Sequence, residues 1–289
     1  MIVSGKTSVF GVIGDPIAHT LSPLMHNRAI SEMGIDAVYV PFHVEPEFFP
    51  FAVKSIISLG IKGMNITVPY KTEAIKHLDK LSDVAIAVGA VNTIINDNSV
   101  LIGDNTDVYG FEKCLEVGGG LLTFPEKVCV LGAGGAARGV VYACLMREEV
   151  KEVTVINRTL SKAKKLAEEL FKVTGKVAVP VKADEEALNN VLPESGLIIN
   201  TTSIGMHPDT GQSPVHDPSL FHEGQIVCDI IYNPLRTKLL IDADSQGAKT
   251  IGGLAMLAYQ GARSLSLWTG LEAPAEVMLN VLKEKFDTL

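Results

Sequence analysis

The chain has 289 residues, of which 47% are hydrophobic and 20% are charged, a balance typical of globular proteins and not of disordered ones. This length allows two domains, each with its own core. The 25 basic and 33 acidic side chains give a formal net charge of −8 without a long basic segment, which argues against nucleic acid as a main partner.

Residues 128–146 form an apolar segment whose one charged side chain is Arg138. Four glycines within it favour a buried strand, a tight turn and a buried helix over a membrane span. The cysteines form no CxxC pair, and the histidines lack metal-ligand spacing. With no secretory signal at the N-terminus, we expect a reduced cytoplasmic protein without a structural metal or a membrane partner, either a monomer or a homodimer.

In the first part of the chain, segments of strand length alternate with amphipathic segments of helix length. Strands are predicted at residues 9–13, 37–44 and 61–67, and helices at residues 23–33, 45–58 and 70–78. Residues 91–95 and 100–102 predict a hairpin around the turn-forming residues 96–99.

Three glycines, Gly118, Gly119 and Gly120, end a helix predicted to begin near Val108. Strands are then predicted at residues 128–131, 153–156, 197–200 and 227–230, with helices between them. The tail has only helices, at residues 254–268 and 273–286, and we expect it to pack on one of the sheets. The pattern predicts two α/β domains, the first with a mostly parallel sheet, and a cleft between them.

A glycine-rich turn follows the strand at residues 128–131 and precedes a helix. Gly132 permits the tight turn, Gly134 lets the backbone approach a pyrophosphate, and Ala137 allows close packing of the helix on the strand. The free N–H groups of the helix N-terminus suit phosphate. The structural alternative is a packing turn without a ligand.

The next strand ends at Asn157, followed by Arg158. NAD enzymes usually place a carboxylate here for the ribose 2′-hydroxyl, whereas a guanidinium can pair with a 2′-phosphate. The sequence therefore favours NADP over NAD.

Three polar clusters lie in the first domain at predicted strand ends or turns. Thr20 and Ser22 offer two hydroxyls at a helix start, although Ser22 can also be interpreted as an N-cap. Lys71 lies in the first turn of the predicted helix at 70–78, where the helix dipole disfavours a cation, which suggests a functional role. Asp107 precedes a helix, and its structural interpretation is again an N-cap.

Taken together, the motifs resemble the shikimate dehydrogenase family over nearly the whole chain. The matching segments are Pro16-Ile-Ala-His19 with Ser22-Pro23, Asn65-Ile-Thr67-Val-Pro-Tyr-Lys71, Ala90-Val-Asn92-Thr93, Asn105-Thr106-Asp107, Gly132-Ala-Gly-Gly-Ala136, Asn157-Arg-Thr159, Asp229 with Tyr232-Asn-Pro234, and Gly253 through Gln260. The resemblance implies reversible NADPH-dependent reduction of 3-dehydroshikimate to shikimate, a step of aromatic amino acid biosynthesis.

The resemblance also implies a role for each domain and for each matching residue. Residues 1–107 and 253–289 would form the substrate-binding and catalytic domain, and residues 108–252 would form a Rossmann-type dinucleotide-binding domain for NADP. Lys71 and Asp107 would be the catalytic pair, and Thr20 and Ser22 would bind the substrate carboxylate with help from Tyr232. The ring hydroxyls would be bound by Asn65, Thr67, Asn92, Asp107 and Gln260. NADP(H) would be bound by Gly132, Ala133, Gly134, Gly135, Ala136, Asn157, Arg158, Thr159 and Ile230, with Gly253 and Met256 near the nicotinamide.

One position departs from the family pattern. The family usually has serine at both hydroxyl positions of the carboxylate site, and this chain has Thr20 at the first. A dual quinate/shikimate dehydrogenase is therefore an alternative, although Arg158 favours NADP and quinate-active relatives often use NAD. A non-catalytic NADP-binding sensor and a folate-linked dehydrogenase are further alternatives. The first predicts a damaged substrate site, and the second predicts a larger and more aromatic pocket.

Overall fold

Two sheets, each of six strands, organise residues 3–287, the part of the chain that the computed structural model describes. The chain divides into two compact units. The first unit extends to Gly110 and resumes at Leu257, and the second unit comprises Phe111–Met256.

The first part of the chain contains β1 (Ser8–Gly14), α1 (Ser22–Glu32), β2 (Ala37–His43), α2 (Phe49–Ser58), β3 (Gly63–Ile66), β4 (Lys80–Leu81), α3 (Asp83–Val88), β5 (Thr93–Asp97) and β6 (Val100–Asp104). Helix α4 (Asp107–Lys113) begins in the first unit and ends in the second. The strand order is β2-β1-β3-β5-β6-β4. β1 pairs parallel with β2 and β3, whereas β5 pairs antiparallel with β3 and β6. The predicted hairpin and the mostly parallel sheet are confirmed.

Helix α2 shows how the sequence specifies its packing. Phe49, Val53 and Ile56 recur at helical spacing and are fully buried, whereas Phe51 is exposed. The buried stripe joins Met64 and other apolar side chains in the core of this unit.

The predicted helix at residues 70–78 is wrong. The segment forms turns and a short 3₁₀ helix, Ala74–His77, so Lys71 precedes the helix. The carbonyl of Lys71 accepts a hydrogen bond from the Val91 N–H at 2.7 Å. It is therefore engaged by a neighbouring segment instead of by the next helical turn, and the helix-dipole argument for Lys71 does not hold.

The second unit contains β7 (Lys127–Leu131), α5 (Gly135–Met146), β8 (Glu152–Asn157), α6 (Leu160–Thr174), β9 (Ala178–Lys182), α7 (Glu185–Val191), β10 (Leu197–Asn200), β11 (Ile226–Asp229), α8 (Lys238–Ser245) and β12 (Lys249–Gly252). All strands are parallel, in the order β12-β11-β10-β7-β8-β9. Counted from β7, this is the order 3-2-1-4-5-6 of a Rossmann sheet, which places the topological switch point between β7 and β10.

The sequence did not indicate β9 and β12. Both are edge strands, and an edge strand has only one neighbour to pair with. β9 contains Pro180, a residue that sheets tolerate at their edges, and β12 has Lys249 and Gly252 among its four residues. Neither therefore carries the continuous apolar pattern of the inner strands.

Two helices follow β12: α9 (Leu254–Thr269) and α10 (Ala275–Asp287). Within the first unit, Trp268 stacks on Phe10 at 5.1 Å and donates a hydrogen bond to the Ile94 carbonyl at 3.0 Å. The tail thus packs on the sheet of the first unit. No helix within residues 3–287 has the length and apolar character needed to cross a membrane.

Candidate active site

A lysine–aspartate pair lies in the first unit. Lys71 Nζ donates to Asp107 Oδ2 at 2.6 Å, and the two side chains are 15% and 5% exposed. The other carboxylate oxygen, Oδ1, accepts a hydrogen bond from Asn92 Nδ2 at 2.9 Å. Within residues 3–287 the Lys71 ammonium has no second hydrogen-bond partner, so it retains N–H groups for a ligand oxygen.

The loop that carries Asp107 is held by neighbouring amides. Asn105 Oδ1 accepts from the Asp107 N–H at 3.1 Å, and Asn92 Oδ1 accepts from the Thr106 N–H at 2.8 Å. Asp107 is the first residue of α4, and its two carboxylate oxygens bind Lys71 and Asn92. The N-cap interpretation of Asp107 is therefore wrong.

Other predicted substrate residues join the same group. Asn92 Nδ2 also lies 3.3 Å from Gln260 Oε1, and Asn65 Nδ2 donates to the Asn92 carbonyl at 3.1 Å. The hydroxyl of Thr67 has no hydrogen-bond partner in the described part of the chain. The first unit thus brings Lys71, Asp107, Asn92, Asn65 and Gln260 into one connected polar network.

The two predicted carboxylate-binding hydroxyls lie together at the start of α1. Thr20 Oγ1 is 3.2 Å from Ser22 Oγ and 3.2 Å from the Ser22 N–H. Ser22 is the first residue of the helix, and the cap position is Leu21, which makes no side-chain cap bond. Ser22 is therefore not the N-cap, and the positive end of the helix dipole suits a carboxylate at these hydroxyls.

The glycine turn of the second unit suits a pyrophosphate. Gly132 has φ +111°, and a Cβ there would lie 2.6 Å from Thr201 Oγ1. Gly134 caps α5 without a side-chain hydrogen bond, and no atom lies within 4 Å of a Cβ built on it. The first N–H groups of α5 thus have no side-chain acceptor and face open space. A dinucleotide phosphate requires both free donors and room for its oxygens. Ala133, Gly135 and Ala136 complete the turn and are partly buried.

The end of β8 carries the predicted 2′-phosphate residues. Asn157 Nδ2 donates to the Thr159 carbonyl at 2.8 Å, which fixes the turn. Arg158 is exposed and forms no ion pair within residues 3–287. An unpaired guanidinium in place of a carboxylate fits a phosphate better than a bare ribose hydroxyl.

The remaining predicted cofactor residues lie after β11 and β12. A Cβ on Gly253 would lie 2.1 Å from the Ile230 carbonyl oxygen, so the two backbones can approach only because residue 253 is glycine. Met256 is buried. Tyr232 belongs to the second unit, and burial raises the pKa of its phenol.

A buried carboxylate, Asp229, organises the loop that contains Ile230 and Tyr232. It accepts hydrogen bonds from the Ile231 N–H at 3.0 Å, Thr237 Oγ1 at 2.7 Å and Asn200 Nδ2 at 3.1 Å. Burial raises the pKa of Asp229 to about 6, because these hydrogen bonds offset only part of the desolvation. The sequence indicated Asp229 only as part of a motif.

Four buried hydroxyls, those of Tyr39, Thr93, Thr106 and Ser264, surround the polar network. The sequence indicated Thr93 and Thr106 only as parts of motifs, and it did not indicate Tyr39 or Ser264. Helical spacing carried a signal for Ser264, which follows Gln260 by four residues on α9. In the described part of the chain, no group of three His, Cys, Asp or Glu side chains is arranged to hold a metal ion.

Comparison with known proteins identifies the family. Residues 12–94 match the shikimate dehydrogenase substrate binding domain, and residues 253–283 match the shikimate 5′-dehydrogenase C-terminal domain. The shikimate dehydrogenase (NADP(+)) of Methanothermobacter thermautotrophicus is 39% identical over 284 residues, covering 98% of each chain. The chain belongs to the shikimate dehydrogenase family. Residues 128–209 also match the saccharopine dehydrogenase NADP binding domain, in keeping with the Rossmann order of the second sheet.

Solved structures of shikimate dehydrogenases share this fold. One in complex with NADP+ has a TM-score of 0.90 at 38% identity, covering 99% of this chain and 98% of that one. The Thermus thermophilus enzyme in complex with NADP(H) and shikimate has a TM-score of 0.83 at 38% identity, covering 96% and 99%. A quinate dehydrogenase from Corynebacterium glutamicum in complex with NAD also aligns, at 28% identity and a TM-score of 0.87, covering 96% and 99%.

Proposed function

We propose that the chain catalyses the reversible, NADPH-dependent reduction of 3-dehydroshikimate to shikimate in aromatic amino acid biosynthesis. The observation that carries this function is the Lys71–Asp107 pair within a network of amides in a chain of this family. The chain is then an NADP-dependent oxidoreductase acting on a CH–OH group.

The catalytic residues follow from the chemistry of ketone reduction. NADPH, when bound, supplies the hydride for the carbonyl carbon. The protein must then provide a proton for the carbonyl oxygen, and Lys71 is a cation with N–H groups to spare. In the reverse direction, a neutral Lys71 amine takes the hydroxyl proton.

Asp107 holds Lys71 for this transfer. At 2.6 Å, Oδ2 fixes the position of the Lys71 nitrogen, and the hydrogen bond from Asn92 to Oδ1 fixes the carboxylate. Because neither side chain is more than 15% exposed, bulk water has little access to the proton during transfer.

Substrate binding divides between the hydroxyl pair and the amide network. Thr20 and Ser22 at the N-terminus of α1 bind the carboxylate. Tyr232 is proposed as a further substrate-binding residue. The ring hydroxyls are bound by Asn65, Thr67, Asn92, Asp107 and Gln260. The mixture of donors and acceptors in this set suits hydroxyls, which both donate and accept.

NADP(H) binds to the second unit. Gly132 to Ala136 and the N-terminus of α5 hold the pyrophosphate, while Asn157, Arg158 and Thr159 bind the adenosine end with its 2′-phosphate. Ile230, Gly253 and Met256 lie near the nicotinamide.

A dual quinate/shikimate dehydrogenase is the second candidate. Thr20 favours it, since the methyl group absent from serine changes the shape of the carboxylate site. The exposed and unpaired Arg158 opposes it, because it favours NADP. A non-catalytic NADP-binding sensor does not require the Lys71–Asp107 pair that this chain retains.

Steady-state oxidation of shikimate and quinate with NADP+ and with NAD+ tests the proposal. Formation of reduced cofactor is followed by its absorbance, and the Lys71→Met variant serves as the background control. We expect kcat/KM to be highest for shikimate with NADP+. Comparable values for quinate would support the dual enzyme. A folded chain that binds NADP+ but reduces none of it with shikimate would refute the function.

We further propose a cytoplasmic location, which the four free and buried cysteines support. A monomer or a homodimer is proposed as the assembly, with small molecules instead of nucleic acid as its partners. Light scattering on the purified chain measures the assembly directly.

A further inference from the structure

Three buried hydroxyls lie beneath the amide network of the first unit. Ser264 Oγ is 2.8 Å from Thr93 Oγ1 and 3.2 Å from Thr106 Oγ1, and all three residues are almost fully buried. Ser264 also lies 2.9 Å from Asn65 Nδ2. Buried polar groups that satisfy one another restrict the orientation of each member.

The amide of Asn65 can take only one orientation here. One end lies 3.1 Å from the Asn92 carbonyl oxygen, which can only accept a hydrogen bond. That end is therefore the nitrogen, Nδ2. The other end is the oxygen, Oδ1, and it accepts from the Tyr39 hydroxyl at 2.8 Å.

Tyr39 is fixed as a donor to this oxygen. Its ring is buried and stacks on His26 at 3.9 Å. Burial raises the pKa of the phenol well above its usual value, so the hydroxyl keeps its proton at any physiological pH.

Ser264 is fixed as an acceptor for the nitrogen. Its single proton points to the Gln260 carbonyl oxygen at 3.0 Å, and that oxygen can only accept. The lone pairs of Ser264 Oγ are therefore available to Asn65 Nδ2.

The two hydrogens of Asn65 Nδ2 are consequently used inside the protein. Their acceptors are the Asn92 carbonyl, Ser264 Oγ and, at 3.2 Å, Thr93 Oγ1. Oδ1 has one lone pair left after it accepts from Tyr39. Of its polar atoms, Asn65 can thus offer a ligand only an acceptor.

We propose that Tyr39 and Ser264 are positioning residues that fix the amide of Asn65, so that Asn65 accepts a hydrogen bond from one ring hydroxyl of the substrate. This inference deepens the proposed function and rests on it for the identity of the substrate. Asn65 then discriminates between substrates, because an analogue that lacks this hydroxyl cannot donate a hydrogen bond to Asn65 Oδ1.

Binding measurements on Tyr39→Phe, Ser264→Ala and Asn65→Ala test the proposal. Tyr39→Phe keeps the ring stacking and removes the hydroxyl, which donates to Asn65 and also contacts the Ser22 side chain. Ser264 forms no hydrogen bond with Ser22 in the described part of the chain, so Ser264→Ala tests the Asn65 amide separately. Ser264→Ala removes the acceptor. Ser266→Ala is its matched control on α9, since the one hydrogen bond of the Ser266 hydroxyl within residues 3–287 is accepted from the Ala273 N–H. The ligands are shikimate and its three monodeoxy analogues, each lacking one ring hydroxyl. Trp268 fluorescence, which reports on the first unit, shows whether each variant remains folded there, and NADP+ affinity is measured in parallel.

Each of the three variants should weaken shikimate binding by roughly tenfold, the typical effect of losing a buried hydrogen bond, while Ser266→Ala should not. One of the three monodeoxy analogues should bind each variant as tightly as it binds wild type, and it should be the same analogue for all three variants. The double variant Asn65→Ala/Ser264→Ala should bind no more weakly than Asn65→Ala alone.

Two results would overturn the proposal while leaving the proposed function intact: an equal loss for shikimate and all three analogues, or additive effects in the double variant. Unchanged shikimate binding in Tyr39→Phe would have the same consequence. A wild-type chain that binds NADP+ but not shikimate would instead refute the proposed function and this inference with it.

Discussion

His26 should make the first unit sensitive to acid. Its ring is fully buried between Tyr39 and α9, with Nδ1 2.9 Å from the Ser22 carbonyl oxygen. Burial lowers the pKa of the imidazole from 6.5 to about 4, against the opposing effects of the backbone of Ser22 and Gly261. A lowered pKa in the folded state means that the unfolded chain binds the proton more tightly. The stabilisation is therefore complete above pH 6.5 and is lost as the pH falls from there toward 4.

The size of the effect follows from the two pKa values. Between pH 7 and pH 4.5, the free energy of unfolding should fall by about 2.5 kcal/mol on account of His26 alone. This is a large share of the stability of an ordinary domain. The Asn side chain of the His26→Asn variant cannot titrate, so the variant should lack this pH-dependent component.

Trp268 provides the assay. It is the single tryptophan of the chain, and it lies in the first unit with its ring 6.0 Å from the ring of His26. Denaturant unfolding followed by its fluorescence therefore reports on this unit. Ser266→Ala is the control, since it perturbs α9 without removing a titrating group. An equal loss of stability on acidification in wild type and His26→Asn would refute the reasoning.

Three further predictions concern the two units. Lys71→Met should lower kcat by ~10²–10⁴ with NADP+ binding unchanged, as measured by turnover and titration, and near-normal turnover would contradict the assignment. Arg158→Ala should raise KM for NADP+ roughly tenfold or more and leave KM for NAD+ unchanged. The control Lys172→Ala removes an exposed charge at the far end of α6 and should change neither KM. Asp229 has a pKa raised to about 6, so its contribution to stability is present below pH 3.8 and is lost as the pH rises through 6. The free energy of unfolding of Asp229→Asn should therefore rise relative to that of wild type by about 3 kcal/mol between pH 3.5 and pH 8, as measured by calorimetry. Parallel stability–pH profiles of the two proteins would contradict this.

The apolar pattern determined most of the fold. The inner strands β7, β8, β10 and β11 are buried on both faces over most of their length, so most of their residues are apolar and the strands are recognisable in the sequence. Edge strands lack this requirement, and β9 and β12 were therefore not predicted.

Local sequence also indicated the candidate residues but not their arrangement. Lys71, Asn92 and Asp107 were each recognisable as polar residues at turns, and the motifs that contain them resemble one family. Their hydrogen bonds depend on contacts between residues far apart in sequence, such as the Lys71 carbonyl with the Val91 N–H. The same contact replaced the expected helix at residues 70–78, because a tertiary hydrogen bond outweighed a weak local preference.

The sequence by itself determined the two α/β units, the glycine turn with its NADP preference, and the identity of the polar residues around Lys71. Only the tertiary structure decided that Asp107 and Ser22 are not helix caps, that Asn65 presents its oxygen, and that His26 and Asp229 have pKa values shifted by burial. The physical reason is that hydrogen-bond direction and desolvation depend on which groups surround a side chain in space. Sequence spacing determines only which faces of a helix or strand those groups occupy.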